Sequence, residues 1–169
     1  MCIRDRVGIK TRGSSTGGRS KASLSLELHD EYGEDKNLSL LGMPSESDWV
    51  LWGPYNFDLS LMHNPFIFEL SRQIGRYAPR TRFVEVYLNT NGGALSSGDY
   101  FGVYALMEKI DRDADRVDVE KLFSEHKAMP EVSGGYILKI DRADPGDSGF
   151  SAAGQNIKYV YPKEEKMES

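Results

Sequence analysis

The residues whose types and spacing could do chemistry gather early in the chain. Arg12-Gly13-Ser14-Ser15-Thr16-Gly17-Gly18-Arg19 is a small, polar, glycine-rich run, and Lys21 follows two residues later. Backbone N–H groups of such a run can cradle phosphate oxygens, and a nearby ammonium can offset their charge. Gly13 to Ser20 nearly matches the P-loop pattern, with Arg19 where a lysine is required. That pattern works when a helix follows it, because the helix N-terminus helps to hold the phosphate. Here the following residues alternate as a strand, which argues against a P-loop. A glycine-rich turn between two strands can instead fold over phosphates, as it does in protein kinases. The same composition also suits an ordinary hairpin tip.

Three further features extend the phosphate reading. Lys21 leads into a strand directly after the loop, where a kinase-like site places a phosphate-binding lysine. Glu69 lies midway along a helical segment, at the edge of its apolar stripe, where a kinase-like site places the glutamate that holds that lysine. An apolar strand runs into Leu106-Met107-Glu108-Lys109, as the strand before a kinase hinge does. Taken singly these are a surface lysine, a solvated glutamate and a strand end. Their order along the chain (loop, lysine, helix with glutamate, hairpin, hinge) carries the reading. No rival constellation appears. Cys2 is the only cysteine, which excludes an intrachain disulfide and a Cys-cluster zinc site. His29, His63 and His126 are far apart, with no HExxH spacing.

The elements that must position these residues can be read from periodicity. Leu24, Leu26 and Leu28 alternate with Ser23, Ser25 and Glu27, which predicts a half-buried strand. Glu31 to Asp35 reads as a turn, and Trp49-Val50-Leu51-Trp52 as either a strand or a buried turn. Asn64 as N-cap and Pro65 at the first helical position predict a helix carrying Phe66, Ile67, Leu70 and Ile74 as its stripe, closed by Gly75. Arg82 to Leu88 and Tyr100 to Met107 predict an antiparallel hairpin around a loop with three glycines. Asp111 to Arg116 reads as a charged turn, Val117 to Phe123 as a short helix, Gly134 to Ile140 as a strand, and Asp144 to Gly149 as a turn or mobile loop. Strands in hairpins with one main helix define an α+β fold, an antiparallel sheet with the helix on one face.

Composition bounds the rest. The chain has 169 residues, 39% of them apolar, so one domain with a core is the expectation. Lys and Arg number 21 against 26 Asp and Glu, for a net charge of −5. That balance argues against a general nucleic-acid binder. No apolar run is long enough for a transmembrane helix, and no signal peptide is visible. Residues 1–6 fit no strand, cap or targeting pattern and read as non-native, and the charged tail reads as the start of a helix. The chain is therefore expected to be an internal piece of a longer protein.

At this level of detail the chain resembles the CotH kinase family, named for spore coat protein H. The resemblance rests on Arg12-Gly-Ser-Ser15, on Lys21 with Ser25-Leu-Glu-Leu28, on Ser39-Leu-Leu-Gly-Met-Pro44 and on Asp48-Trp-Val-Leu51. It continues through Glu69-Leu-Ser-Arg72, Tyr77-Ala-Pro-Arg-Thr-Arg-Phe-Val-Glu-Val-Tyr-Leu-Asn89, Gly98-Asp-Tyr-Phe-Gly-Val-Tyr104, Met107-Glu-Lys-Ile110 and Gly134-Gly-Tyr-Ile-Leu-Lys-Ile-Asp141. The blocks run from about Ile9 to Pro162.

The resemblance implies an atypical protein-kinase-like fold that binds ATP with Mg²⁺ or Mn²⁺ and phosphorylates protein serines. Implied partners are a Ser-rich coat or surface protein and the C-terminal lobe of the same protein. A spore coat, cell-surface or secreted location is implied too. Residue by residue, Arg12, Gly13, Ser14 and Ser15 would lie near phosphates, Lys21 would contact them with Glu69 as its partner, and Tyr104, Met107, Glu108 and Lys109 would border the nucleotide. The expected division is a leader at 1–8, a kinase-like N-lobe at 9–112, and the start of a second lobe at 113–169. The family's acidic catalytic and metal-binding residues belong to a later WDFD-like segment, expected beyond Ser169, and no HRD or DFG string occurs. Asp141 is the nearest acid, at a strand end. The piece is therefore expected to be inactive alone. His63 and Pro65 depart from the residues more usual in the family. The alternative reading is a non-catalytic coat or surface interaction module on the same scaffold.

Overall fold

A computed structural model describes residues 6–13, 17–53, 57–143 and 146–162. It divides into two units, residues 1–109 and 110–169. The expected boundary fell three residues later. The fold class is α+β, mostly antiparallel sheet, with one α-helix among the described residues.

Unit 1 is built on five antiparallel strands: β1 (Arg6–Arg12), β2 (Ser23–His29), β3 (Asp48–Trp52), β4 (Thr81–Tyr87) and β5 (Tyr100–Glu108). Their order across the sheet is β1-β2-β3-β5-β4, with helix α1 (His63–Gln73) in the connection from β3 to β4. Registration follows the apolar alternation. Leu24 faces Leu51, Leu26 faces Trp49, Leu51 faces Leu106, and Val84 faces Tyr104. Cross-strand partners share a side of the sheet, so these residues line one face. That face holds the core: Leu24, Leu28, Trp49, Leu51, Tyr104 and Leu106, joined by Met43 from the β2–β3 connection. The short aromatic segment at 49–52 is therefore a central strand, and Val50 on its other side is buried as well.

The leader expectation ran to residue 8, but β1 begins at Arg6 and pairs residue for residue with β2 from Arg6 opposite His29. The helix also begins earlier than its sequence suggests. Met62, not Asn64, occupies the N-cap and offers no side-chain cap. Asp58 does that work from outside the helix, its Oδ2 accepting the His63 N–H at 2.8 Å while Oδ1 accepts the Ser60 hydroxyl at 2.6 Å. Pro65 thus sits in the first turn, buried, where its missing N–H costs nothing. At the other end Gly75 adopts φ +78° just past the C-cap Ile74, as a closing glycine should. The stripe of Phe66, Ile67, Leu70 and Ile74 is exposed rather than packed, the four ranging from 43% to 71% accessible.

Unit 2 contains β6 (Ile137–Ile140), β7 (Gly149–Ala152) and β8 (Gln155–Tyr161), in the order β6-β8-β7 and all antiparallel. The β7–β8 hairpin turns on Ala153 and Gly154, both at positive φ. Val117 to Phe123 was expected to be helical and is extended. Arg112 and Val117 form a β-bridge, and the Arg112 Nε–H donates to the Val119 carbonyl at 3.0 Å, which removes that carbonyl from any helical ladder. Asp144 and the charged tail lie outside the described residues.

Candidate functional site

The glycine-rich run joins β1 to β2 as a hairpin tip, and a strand, not a helix, follows it. That architecture excludes the P-loop arrangement. Gly13 takes φ +93°, and the Gly17 N–H closes the tip on the Gly13 carbonyl at 2.9 Å. A Cβ on Gly17 would stand 2.5 Å from that same oxygen, so the tip requires a glycine there. Arg12 ends β1 opposite Ser23 and is exposed. Ser14 and Ser15 lie outside the described residues.

Lys21 leaves this tip and turns inward. Its ammonium lies 4.9 Å from the centroid of the Tyr104 ring on β5, a cation–π distance. Burial lowers the Lys21 pKa, because a low-dielectric surrounding disfavours the charged form. Burial raises that of Tyr104 for the same reason applied to an acid. Tyr104 is fully buried, stacked on Phe101 with centroids 5.7 Å apart, and its hydroxyl has no hydrogen-bond partner among the described residues. Two glycines frame the contact. A Cβ on Gly53 would fall 2.4 Å from Tyr104 Cε1 and 3.2 Å from Lys21 Cγ. Gly102 sits at φ +119° in β5, where the β4 pairing shifts register, and a Cβ there would lie 3.7 Å from Lys21 Nζ.

The expected Lys21–Glu69 pair is not formed. Glu69 is exposed on α1, and its carboxylate is taken by its own helix: Arg72 Nη2 donates to Oε2 and Gln73 Nε2 to Oε1 at 3.1 Å. The spacing explains this, since residues three and four apart on a helix are neighbours. The bond from Arg72 leads the interactions that hold the Glu69 pKa below its ordinary value. Lys21 makes no ion pair with any described residue.

The end of β5 is a latch. Glu108 is fully buried, its Oε1 bound to Arg80 Nη1 at 2.7 Å and its Oε2 to the Arg80 N–H at 2.8 Å. Lys109 Nζ reaches Asp48 Oδ2 at 2.7 Å. Both side chains are therefore committed to the sheet, and Met107 pairs with Val50 and Thr81 on the strands to either side. What this strand end can offer a ligand is backbone and the half-buried Met107 side chain. Asp141, just past β6, accepts the Arg142 N–H on Oδ1 at 2.7 Å.

Of the expected residues, then, the structure brings Lys21 and Tyr104 together. It keeps Glu69 on its own helix and Glu108 in the core. Gly53 and Gly102 escaped sequence reasoning. A glycine inside a strand pattern, as in Tyr100-Phe101-Gly102-Val103, marks a bulge or a close approach and was the available signal.

The chain belongs to the CotH kinase family: the family model described as CotH kinase protein matches residues 9–169. No curated protein and no solved structure matches the chain.

Proposed function

We propose that this chain is the ATP-binding part of a CotH-type protein kinase whose full form phosphorylates serines of spore coat or surface proteins. Family membership supports the kinase-like role. The sheet supports the lobe assignment, because a glycine-rich hairpin, a helix between β3 and β4, and a strand leading out of the unit follow the order a kinase N-lobe needs. The observation that carries the reading is Lys21. It is a half-buried cation directly after a glycine-rich tip, with no anion beside it among the described residues. A nucleotide phosphate would supply that anion, with Arg12 and Gly13 closing over it and Met107 bordering the base.

The implied Mg²⁺ or Mn²⁺ finds no ligand set here. Among the described residues no group of three or more His, Cys, Asp or Glu side chains could hold a metal ion. No step is therefore assigned to a metal in this chain.

Calorimetric titration with ATP tests the reading. Lys21→Ala should weaken binding by about tenfold or more, the scale of one lost charge-assisted contact. Equal affinity in the two proteins would remove Lys21 from the site. A second reading, a non-catalytic interaction module, draws on the exposed apolar stripe of α1. It predicts no ATP binding by either protein.

A further inference from the structure

We propose that Tyr104, framed by Gly53 and Gly102, is the seat that positions Lys21 for a phosphate, in the place where a helix glutamate was expected. The inference rests on the reading of Lys21 as a phosphate contact and names what holds it there. Three features support it. The Lys21 head lies 4.9 Å from the Tyr104 ring centroid, with the negative face of the ring toward it. The Lys21 stem runs past Gly53, where a Cβ would stand 3.2 Å from Cγ and would collide with the ring at 2.4 Å. Gly102 lies beside the head, and its φ of +119° disfavours any side chain that would cover the ammonium. The ring itself cannot drift, being fully buried and stacked on Phe101.

The chemistry fits an anion arriving from outside. A flexible lysine loses much rotamer freedom when it binds, and a ring that already orients it reduces that loss. An aromatic face attracts the ammonium without neutralising it, so the full charge stays available to a phosphate. A carboxylate partner would have to be shared or displaced. Glu69 cannot take this part in the observed arrangement, because Arg72 and Gln73 occupy its carboxylate.

The experiment compares wild type, Lys21→Ala, Tyr104→Phe, Tyr104→Leu, Gly53→Ala and Glu69→Gln. It reads Kd for ATP and for adenosine by calorimetry, and the Lys21 pKa by an NMR pH titration of its side chain. Tyr104→Leu and Gly53→Ala should each weaken ATP binding by at least about threefold while adenosine binding holds. Tyr104→Leu should lower the Lys21 pKa further, because the attraction of the ring for the ammonium is lost while the apolar surround remains. Tyr104→Phe, which keeps the ring, should rescue both readouts. Loss in Glu69→Gln equal to that in Tyr104→Leu would overturn the seat, as would a Lys21 pKa that Tyr104→Leu leaves unchanged. If Tyr104→Leu does not fold, the ATP and adenosine affinities of Gly53→Ala decide. If Lys21→Ala binds ATP as well as wild type, the phosphate reading fails, and the titrations still judge whether Tyr104 holds the lysine.

Discussion

Glu108 shows how a residue can be easy to see and easy to misassign. It follows an apolar strand, so the order of motifs marks it as a hinge residue. Its alternation says something else: two residues beyond Leu106, it falls on the core face of β5. A carboxylate on that face must be paired, and Arg80 pairs both its oxygens. Glu108→Gln should therefore cost about 2–3 kcal/mol in urea denaturation. That is somewhat below the loss from breaking a fully buried pair, because the Arg80 side chain keeps 33% of its exposure. A loss below about 0.5 kcal/mol, the scale of a surface change, would show that the carboxylate is solvated. Lys21 was legible because it follows a glycine run. Its partner was not, since the pairing with Tyr104 spans more than eighty residues of sequence and depends on two glycines that carry no side-chain signal.

Helix α1 was legible as an element and not at its start. Its stripe and Gly75 announced it, whereas the group that satisfies its first N–H comes from Asp58, five residues upstream. Burial of Asp58 favours its neutral form, yet the Ser60 hydroxyl, the His63 N–H and the His63 ring together hold its pKa below the ordinary value. A carboxylate with a depressed folded pKa contributes stability that is present above its unfolded pKa, about 4, and lost as pH falls through the folded value. Asp30 and Asp99 share the direction, led by backbone N–H bonds from Glu34 and from Ser96 respectively. The Tm should accordingly fall as pH drops from about 5 toward 2. Asp58→Asn should lower Tm at pH 7 and flatten that acid limb; an unchanged Tm at pH 7 would show that Asp58 does not anchor the helix. Strands β1, β7 and β8 were missed. β7 is only four residues long, and β1 and β8 alternate over short stretches beside glycine-rich or charged segments while burying little surface, so none of them announces a core strand.

At the scale of the molecule, the family and the α+β class were legible because many short blocks occur in a fixed order. Burial was not, because periodicity tells which residues share a face and not what covers it. The stripe of α1 is the clearest case, being apolar and exposed. Ile67→Lys with Ile74→Lys should raise the solubility limit while shifting stability by no more than about 0.5 kcal/mol each, the ordinary range for surface positions. A larger loss in thermal unfolding would mean that the stripe is packed. The latch at the end of β5 has a mechanical consequence. Lys109, the last residue of unit 1, is fastened to Asp48 on the interior strand β3 of the five-stranded sheet, and Glu108, at the end of the interior strand β5, to Arg80 just ahead of β4. A pull transmitted along the backbone at Ile110 would load the middle of that sheet in shear instead of peeling it from its rim.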